Sequence, residues 1–582
     1  MLRLPAHLIL PWSACLLLGA PAAAQDLLPL TGLPADDAVV NAIYAIPDEQ
    51  LEVMQHLDEL VNGIGPRLTS SRNLTEACEW AADRFRGWGL ENVRLVEWGT
   101  FPVGFDRVHR RGRMLAPRKM ELDFTTSAWT SGTDGPVRGP AVICPQNDEE
   151  LLAVRQRLPG AWLLVAASGG PIFAQAGDGF RERLGRECDE AHIAGQVRPS
   201  RSEELVHTSG QYRIDPEKLP SRVSVSLRRD QFAELMKHAM AGEEVALEFD
   251  IAQTFTPGPI PLYDVIAEIP GTDKANEMVI FGGHIDSWDG ARGAQDNGTG
   301  TATTLEAARI LSQTLAEQGL RPRRTIRFML WSGEEQGLLG SAAYAAQHPA
   351  ELPFISAVVV HDGGTNACAG IEASPAMRPM FTEVFAPLIE HTRDAADEDL
   401  RFRIAEVERI TYPIGSDHDT YIPLGVPGFF WQQHGKTSYG YIHHTQHDLY
   451  GEAKPEYQRF TSRVVAATAW RLANAETMVP RSDLPAGGEG RMPRRRLGIQ
   501  PGEDGATIAG LTEGGLAASA GMKVGDKILK IGEREVKDMQ TLFEGLNAEG
   551  DRKMVVWQRG NEKLAAWLDW EKKTAEAAPV PN

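Results

Sequence analysis

From Tyr263 onward the chain alternates short apolar runs with helical segments, and this alternation constrains the fold more than any other feature. "YDVIAEIPG", "EMVIFGGH", "RTIRFMLW", "ISAVVVHDGG" and "VPGFFWQ" read as strands: short, apolar and mostly bounded by glycine or charge. Between and after them, "GTATTLEAARILSQTLAEQGL" has amphipathic helical spacing and ends at Gly319. "LLGSAAYAAQH" and "YQRFTSRVVAATAWRLANAE" are further helices. Apolar strands separated by helices imply a mostly parallel central sheet covered on both faces, a three-layer α/β/α fold. Ligands of such sheets bind beyond the strands' C-terminal ends, so the polar residues that follow each strand are the candidates for chemistry.

Those residues are unusually coherent. His284 and Asp286 follow one strand, Glu334 and Glu335 the next, and His361 and Asp362 the one after. In "HIDSW" the histidine and aspartate are two apart on extended chain, so they point the same way and the carboxylate can orient the imidazole. Asp296, in "AQDNGTG", precedes a glycine turn into the long helix, where N-terminal N–H groups favour negative charge. A plain helix cap would look the same. A nucleotide loop would not, because no Walker lysine follows. The paired glutamates of "LWSGEEQGLLGS" would be costly beside other carboxylates without a cation to neutralise them. Adjacent side chains also project differently, so one can bind metal while its neighbour faces a bound water.

"VVVHDGG" leaves His361 and Asp362 as alternatives. "GSDHDTYIPLGVP" adds Ser416, Asp417 and His418, and "YIHHTQHDLY" adds His443, His444 and His447. Mixed histidine and carboxylate ligands suit zinc, and two such sets sharing an aspartate suit a two-metal site. HExxH and GxSxG, the signatures of two competing hydrolytic plans, are absent.

The rest of the chain adds modules. "MLRLPAHLILPWSACLLLGAPAAAQ" has one arginine, an apolar run and three alanines before Gln25, the pattern of a secretory signal peptide over residues 1–24. No later run is long enough to span a membrane, so the mature chain is expected to be secreted or periplasmic. The net charge of −20 argues against nucleic acid or an anionic membrane as partner. Cys78, Cys144, Cys188 and Cys368 form no disulfide framework; a Cys144–Cys188 bridge and four reduced thiols both remain open. "DEQLEVMQHLDELVNGIG" and "NLTEACEWAADRFRGWGL" read as helices, and "VRLVEW" as a strand. Short β-like runs over 125–250 ("GPAVICP", "AWLLVAASGG", "SRVSVSL") suggest a separate β-rich insert between catalytic segments 25–124 and 251–478. After a linker at 479–493, "RLGI" and "GLAASAGMKVGDKILKIGE" resemble a PDZ domain over 494–575. A protein C-terminus would add as a strand between its "LGI" segment and its "MQTLFEGL" helix.

Taken together the motifs resemble the zinc exopeptidases of the aminopeptidase and glutamate-carboxypeptidase family, in particular its carboxypeptidase Q branch. "IGPRLTSSRNLTEACEWAADRFRGWGLENVRLVEW" is similar to that branch's N-terminal segment and "HIDSWDGARGAQDNGTG" to its first metal motif, with similarity from about 40 to 475. The resemblance implies a protease-associated (PA) domain at 125–250 and two Zn2+. One zinc would be held by His284 and Asp362, the other by Glu335 and His444, with Asp296 bridging both. Glu334 becomes the general base and Asp286 the orienter of His284. His444 is preferred to His443 because the family's ligand begins an "HT" or "HS" pair followed by an aspartate. His418 stands where some members place an oxyanion-steadying tyrosine, and the Asp296–Asn297 peptide is expected to be cis.

The expected function is hydrolysis of terminal peptide bonds in peptides or dipeptides. Aminopeptidase and carboxypeptidase or dipeptidase polarity remain open. Alternatives are a single-zinc glutaminyl cyclase-like enzyme and a non-catalytic PA/PDZ receptor or scaffold. A homodimer is compatible with the reading, and nothing in the sequence fixes the oligomeric state.

Overall fold

The structure, a computed structural model, describes residues 37–166, 179–219, 222–485 and most of 497–579. The expected signal peptide and residues 486–493 of the expected linker lie outside the described residues. Helix α1 (Arg72–Gly87) and strands β1 (Glu91–Ala116), β2 (Ala246–Ile269) and β3 (Lys274–His284) lead into helix α2 (Thr299–Gln318) and strand β4 (Arg324–Trp331). Helix α3 (Leu339–Gln347), β5 (Ile355–Val360), β6 (Ala367–Ala373) and α4 (Arg378–Thr392) follow. Then come β7 (Arg403–Glu406), β8 (Gly428–Phe430), β9 (Gln432–His434) and α5 (Pro455–Asn474).

The sheet order is β8–β5–β3–β4–β2–β1. The first four strands are mutually parallel, while β2 and β1 are antiparallel to their neighbours. Alternate residues explain why these apolar runs must be strands covered on both sides. Val265, Ala267, Val279, Phe281, Phe328, Leu330 and Val359 face a core built with α1, α2, α4 and α5. Ile266, Met278, Ile280, Met329, Trp331, Val358 and Val360 face the other side, with Tyr344 and Ala345 of α3. The expected α/β/α layering is therefore present, in a mixed sheet.

Three local readings change. Helix α2, read as amphipathic, is buried on every side from Thr299 to Leu311. Its polar groups are matched inside the protein: Thr303 donates to Gln458, and Glu306 accepts from Arg309. Gly319 ends the helix at φ 66°, a conformation that favours glycine. The helix expected over 48–65 is a 3₁₀ turn (Asp48–Gln50), an α-helix (Val53–Asp58) and a wide turn (Glu59–Ile64). There the Glu52 N–H leaves the helical pattern to donate to Glu306.

The strand expected at "VRLVEW" runs on to Ala116, paired with β2 as a long ribbon. The charges at 107–113 concealed it. They lie along a ribbon whose buried side is supplied by Phe101, Val103, Phe105 and Met114.

Where the ribbon leaves the body, Val137–Ile143 pairs antiparallel with β2, so the sheet passes unbroken into the insert. Strands Trp162–Leu164, Gly195–Pro199, Val223–Leu227 and Phe124–Thr126 extend it further. Helices Gly179–Glu190 and Arg229–Met240 pack against them around separate apolar clusters. Cys78, Cys144, Cys188 and Cys368, the four cysteines among the described residues, are free and buried.

Residues 479–484 are docked on the main body. The Val479 N–H donates to Ser356 and Asp483 accepts from the Ala376 N–H. The C-terminal region has its own core around Leu497, Ile508, Ile528, Val555 and Leu568. Its largest sheet pairs Lys527–Ile531, Arg552–Arg559, Glu562–Asp569 and Thr574–Ala577 in antiparallel order. Among the described residues no helix is long and apolar enough to cross a membrane.

Candidate active site

Parallel register brings the strand ends level: Trp331 of β4 lies beside His284, and Val360 of β5 beside Gly282. The chain past each end therefore converges. His284 Nε2 lies 3.1 Å from Asp362 Oδ1 and 3.2 Å from Asp296 Oδ1. On the opposite oxygen of the same aspartate, His444 Nε2 lies 3.1 Å from Asp296 Oδ2 and 2.9 Å from Glu335 Oε2. Asp296 thus stands between two imidazoles, each with a further carboxylate. Glu334 Oε2 is 3.9 Å from His284 Nε2, facing the same group from the β4 side.

Asp286 organises this cluster from beneath. Its Oδ2 accepts from Thr69 Oγ1 (2.9 Å) and the Glu335 N–H (3.4 Å), and its Oδ1 from the Glu334 N–H (3.3 Å). His284 Nδ1 meets Asp286 twice, at 3.1 Å from the backbone carbonyl and 3.5 Å from Oδ1. Asp296 sits in the turn Ala294–Gly298, and its peptide bond to Asn297 is cis. Asn297 braces the turn, donating to the His361 carbonyl (2.8 Å) and accepting from the Gly300 N–H (2.9 Å). Asp448 accepts from the N–H groups of Gln295 and Asp296. Fully buried Arg67 donates to the carbonyls of Gly65, Ile285, Arg292 and Gly293, tying both ends of the loop between His284 and Asp296.

The electrostatics follow from this crowding. Burial would lower the His284 pKa, but Asp362 and Glu334 hold it well above the ordinary range. Burial likewise pushes Asp296 up, yet the two imidazoles carry it well below. Glu335 is pushed up to about 7, chiefly by burial and then by Asp296. Burial also raises Glu334 well above its usual value, with Asp362 and Glu335 adding to the effect. So many carboxylates in a buried space are compatible with a bound cation and costly without one.

Other candidates go elsewhere. His361 turns away and contacts the Gly364 carbonyl at 3.1 Å, while Asp362 points into the cluster. His443 reaches Asp296 only at 3.6 Å and stacks on His444 with ring centroids 3.7 Å apart. His447 stacks on Tyr441. His418 is fully buried beside Phe430 and 3.3 Å from Asp419, and it is not among the residues lining the cleft. Burial pushes its pKa down to about 3, so the ring is neutral.

Sequence reading missed Thr69, Arg67 and Asp448. Their partners lie some 150 to 230 positions away in the chain, and only the aspartate in "HTQHD" gave any signal.

The cluster opens into a cleft of about 640 Å³. Leu338, Tyr412, Pro413, Ile414 and Tyr439 supply apolar walls, and no lysine or arginine is among the described residues lining it.

Known proteins share sequence and fold with this chain. Residues 264–469 match the family described as Peptidase family M28, and residues 489–548 match the PDZ domain. Carboxypeptidase Q of Rattus norvegicus is 28% identical over 451 residues, covering 76% of this chain and 90% of the relative. Leupeptin-inactivating enzyme 1 of Streptomyces exfoliatus is 34% identical over 167 residues, 28% of this chain and 37% of that protein. The crystal structure of a Peptidase M28 precursor from Shewanella amazonensis SB2B shares the fold, with TM-score 0.54 and 23% identity. It covers 77% of this chain and 98% of that one. The chain accordingly carries a peptidase domain of family M28 over residues 264–469, followed by a PDZ domain over 489–548.

Proposed function

We propose that the chain is a secreted, two-zinc exopeptidase that removes residues from the free amino end of peptides or dipeptides. The observation that carries the two-metal reading is Asp296, each of whose oxygens faces a different histidine–carboxylate pair. Donor atoms about 3 Å apart fit zinc, since bonds near 2 Å at tetrahedral angles put ligands roughly 3.3 Å apart. His284 and Asp362 would hold one ion, Glu335 and His444 the other, and Asp296 both. Bound zinc lowers the pKa of a coordinated water towards ~7 and polarises the scissile carbonyl.

Glu334 has the general-base role. It faces the cleft 3.9 Å from His284 Nε2, and burial holds its carboxyl above the ordinary range, which favours a group that accepts a proton. It takes the proton of the attacking water and returns it to the leaving amine. Asp286 holds the amides of both glutamates and the ring of His284. His418 is given no step.

The polarity rests on the cleft. A free α-carboxylate is ordinarily received by a guanidinium or ammonium group. Neither lies among the described lining residues, and Asp419, the lining carboxylate outside the metal and base set, favours an ammonium group instead. The relatives' name, carboxypeptidase Q, favours the opposite reading, and three substrates separate the two. A C-amidated dipeptide with a free amine should be cleaved about as well as the free dipeptide, and an N-acetylated one barely at all. Cleavage of the N-acetylated peptide alone would establish carboxypeptidase polarity.

The signal-like N-terminus supports export, and the β-rich insert supports a PA domain over 125–250. The PDZ groove would take a protein C-terminus.

A further inference from the structure

We infer that the insert positions one arm of the metal centre, with Gln446 as the positioning residue; this rests on the two-zinc reading above. The Thr208 N–H donates to the carbonyl of His444 (2.8 Å), and His207 and Thr445 form an antiparallel bridge. Gln446 then completes the seam with three hydrogen bonds. Its Oε1 accepts from the Val206 N–H (2.7 Å), and its Nε2 donates to the Glu204 carbonyl (2.9 Å) and to Asp123 Oδ2 (3.2 Å). Three successive residues beginning at His444 are therefore gripped by one short segment of the insert.

The approach is close on the neighbouring loop too. A Cβ added at Gly290 would come 1.5 Å from Thr208 Oγ1. Trp288 stands edge-on to Trp129 on one side and to His444 on the other, both at 6.2 Å. The Trp288 backbone N–H donates to Glu335 Oε1 at 3.3 Å.

The two halves of the centre are thus held differently. His284 ends β3, and Asp362 follows β5 by two residues, so both are fixed by the central sheet. His444 lies on a loop, at φ 57°, a backbone region that non-glycine residues rarely adopt and that surrounding contacts must maintain. The seam supplies those contacts. Loosening it should weaken the Glu335–His444 side while sparing the His284–Asp362 side.

The test compares full-length wild type with Gln446→Ala and Gly290→Ala, measuring zinc content against a competing chelator and the zinc dependence of peptide turnover. Thermal unfolding confirms that each variant folds. Wild type should retain two zinc ions per chain. Each variant should retain one tightly and bind the other roughly 10–100-fold more weakly, with turnover recovering in excess zinc. Rescue by metal is a response that a merely loosened fold would not give. Wild-type affinity for both ions in Gln446→Ala, or equal weakening of both, would overturn the inference. A wild-type chain holding a single zinc would overturn the two-zinc reading and this one with it.

Discussion

Asp448 supports Asp296 from behind: its Oδ2 accepts from the Asp296 N–H at 3.4 Å, and its Oδ1 accepts from the adjoining Gln295 N–H. Both oxygens are committed to the backbone of the turn, while burial and the charge of Asp296 push its own pKa up to about 8. Asp448→Ala should leave two buried amides unmatched, at about 1–3 kcal/mol each, and free the turn that aims Asp296. Zinc affinity should fall roughly 10–100-fold. Metal titration of the variant checks this, and unchanged affinity for both ions would mean that Asp448 plays no positioning part.

Acid should weaken the fold partly through Glu306, which lies inside α2, the helix that follows the Asp296 turn. Burial alone would raise its pKa, but hydrogen bonds from Arg309 and His56 hold it below the ordinary carboxylate range. A depressed folded-state pKa means that the unfolded chain binds more protons. The stabilisation is therefore present above the unfolded value of roughly 4.3 and is lost as pH falls through the lower folded value. Glu306→Gln should lower stability at neutral pH and flatten its fall below about pH 5. Urea midpoints across that range measure it, and an equally steep acid limb in the variant would remove Glu306 as a cause.

Residues 479–484 dock on the main body, whereas the PDZ domain has its own core and every residue of the cluster precedes it. A chain truncated after residue 485 should therefore cleave small peptides at a near-normal rate. One truncated before Val479 should lose stability, because the hydrogen bonds of Val479, Arg481 and Asp483 go with it. Loss of activity in a stably folded 485-residue chain would show that the PDZ domain shapes the active site.

How far the sequence spoke depended on the range of the interaction. Strands β3, β4 and β5 were legible because burial on both faces leaves continuous apolar runs, and the polar residues after them could only emerge at one edge of the sheet. The choice between His361 and Asp362 was not legible from composition. It follows from alternation past the end of β5, which turns one inward and the other to the cluster. The long β1–β2 ribbon hid behind its own charges, since a strand buried on part of one side need not look apolar. Arg67, Thr69 and Gln446 were invisible as site residues, and Asp448 showed only as the aspartate of "HTQHD", because each acts through a distant partner. His418 shows the reverse limit: a motif position drew attention to a ring that folding buries away from the cleft.

The central claim is that two neighbouring glutamates divide the work, Glu335 holding metal and Glu334 moving protons across a centre bridged by Asp296. Zinc content beside peptide turnover, measured for Glu334→Gln and Glu335→Gln, tests it most directly. Glu334→Gln keeps the shape but cannot accept a proton, so it should hold two zinc ions per chain, as wild type does. Its turnover should fall by the upper end of the 10²–10⁴-fold typical for a lost general base. Glu335→Gln should bind one ion normally and the other weakly, with partial recovery in added zinc. If Glu334→Gln loses zinc while Glu335→Gln keeps both ions and only turnover suffers, the assigned roles are reversed and the account is contradicted.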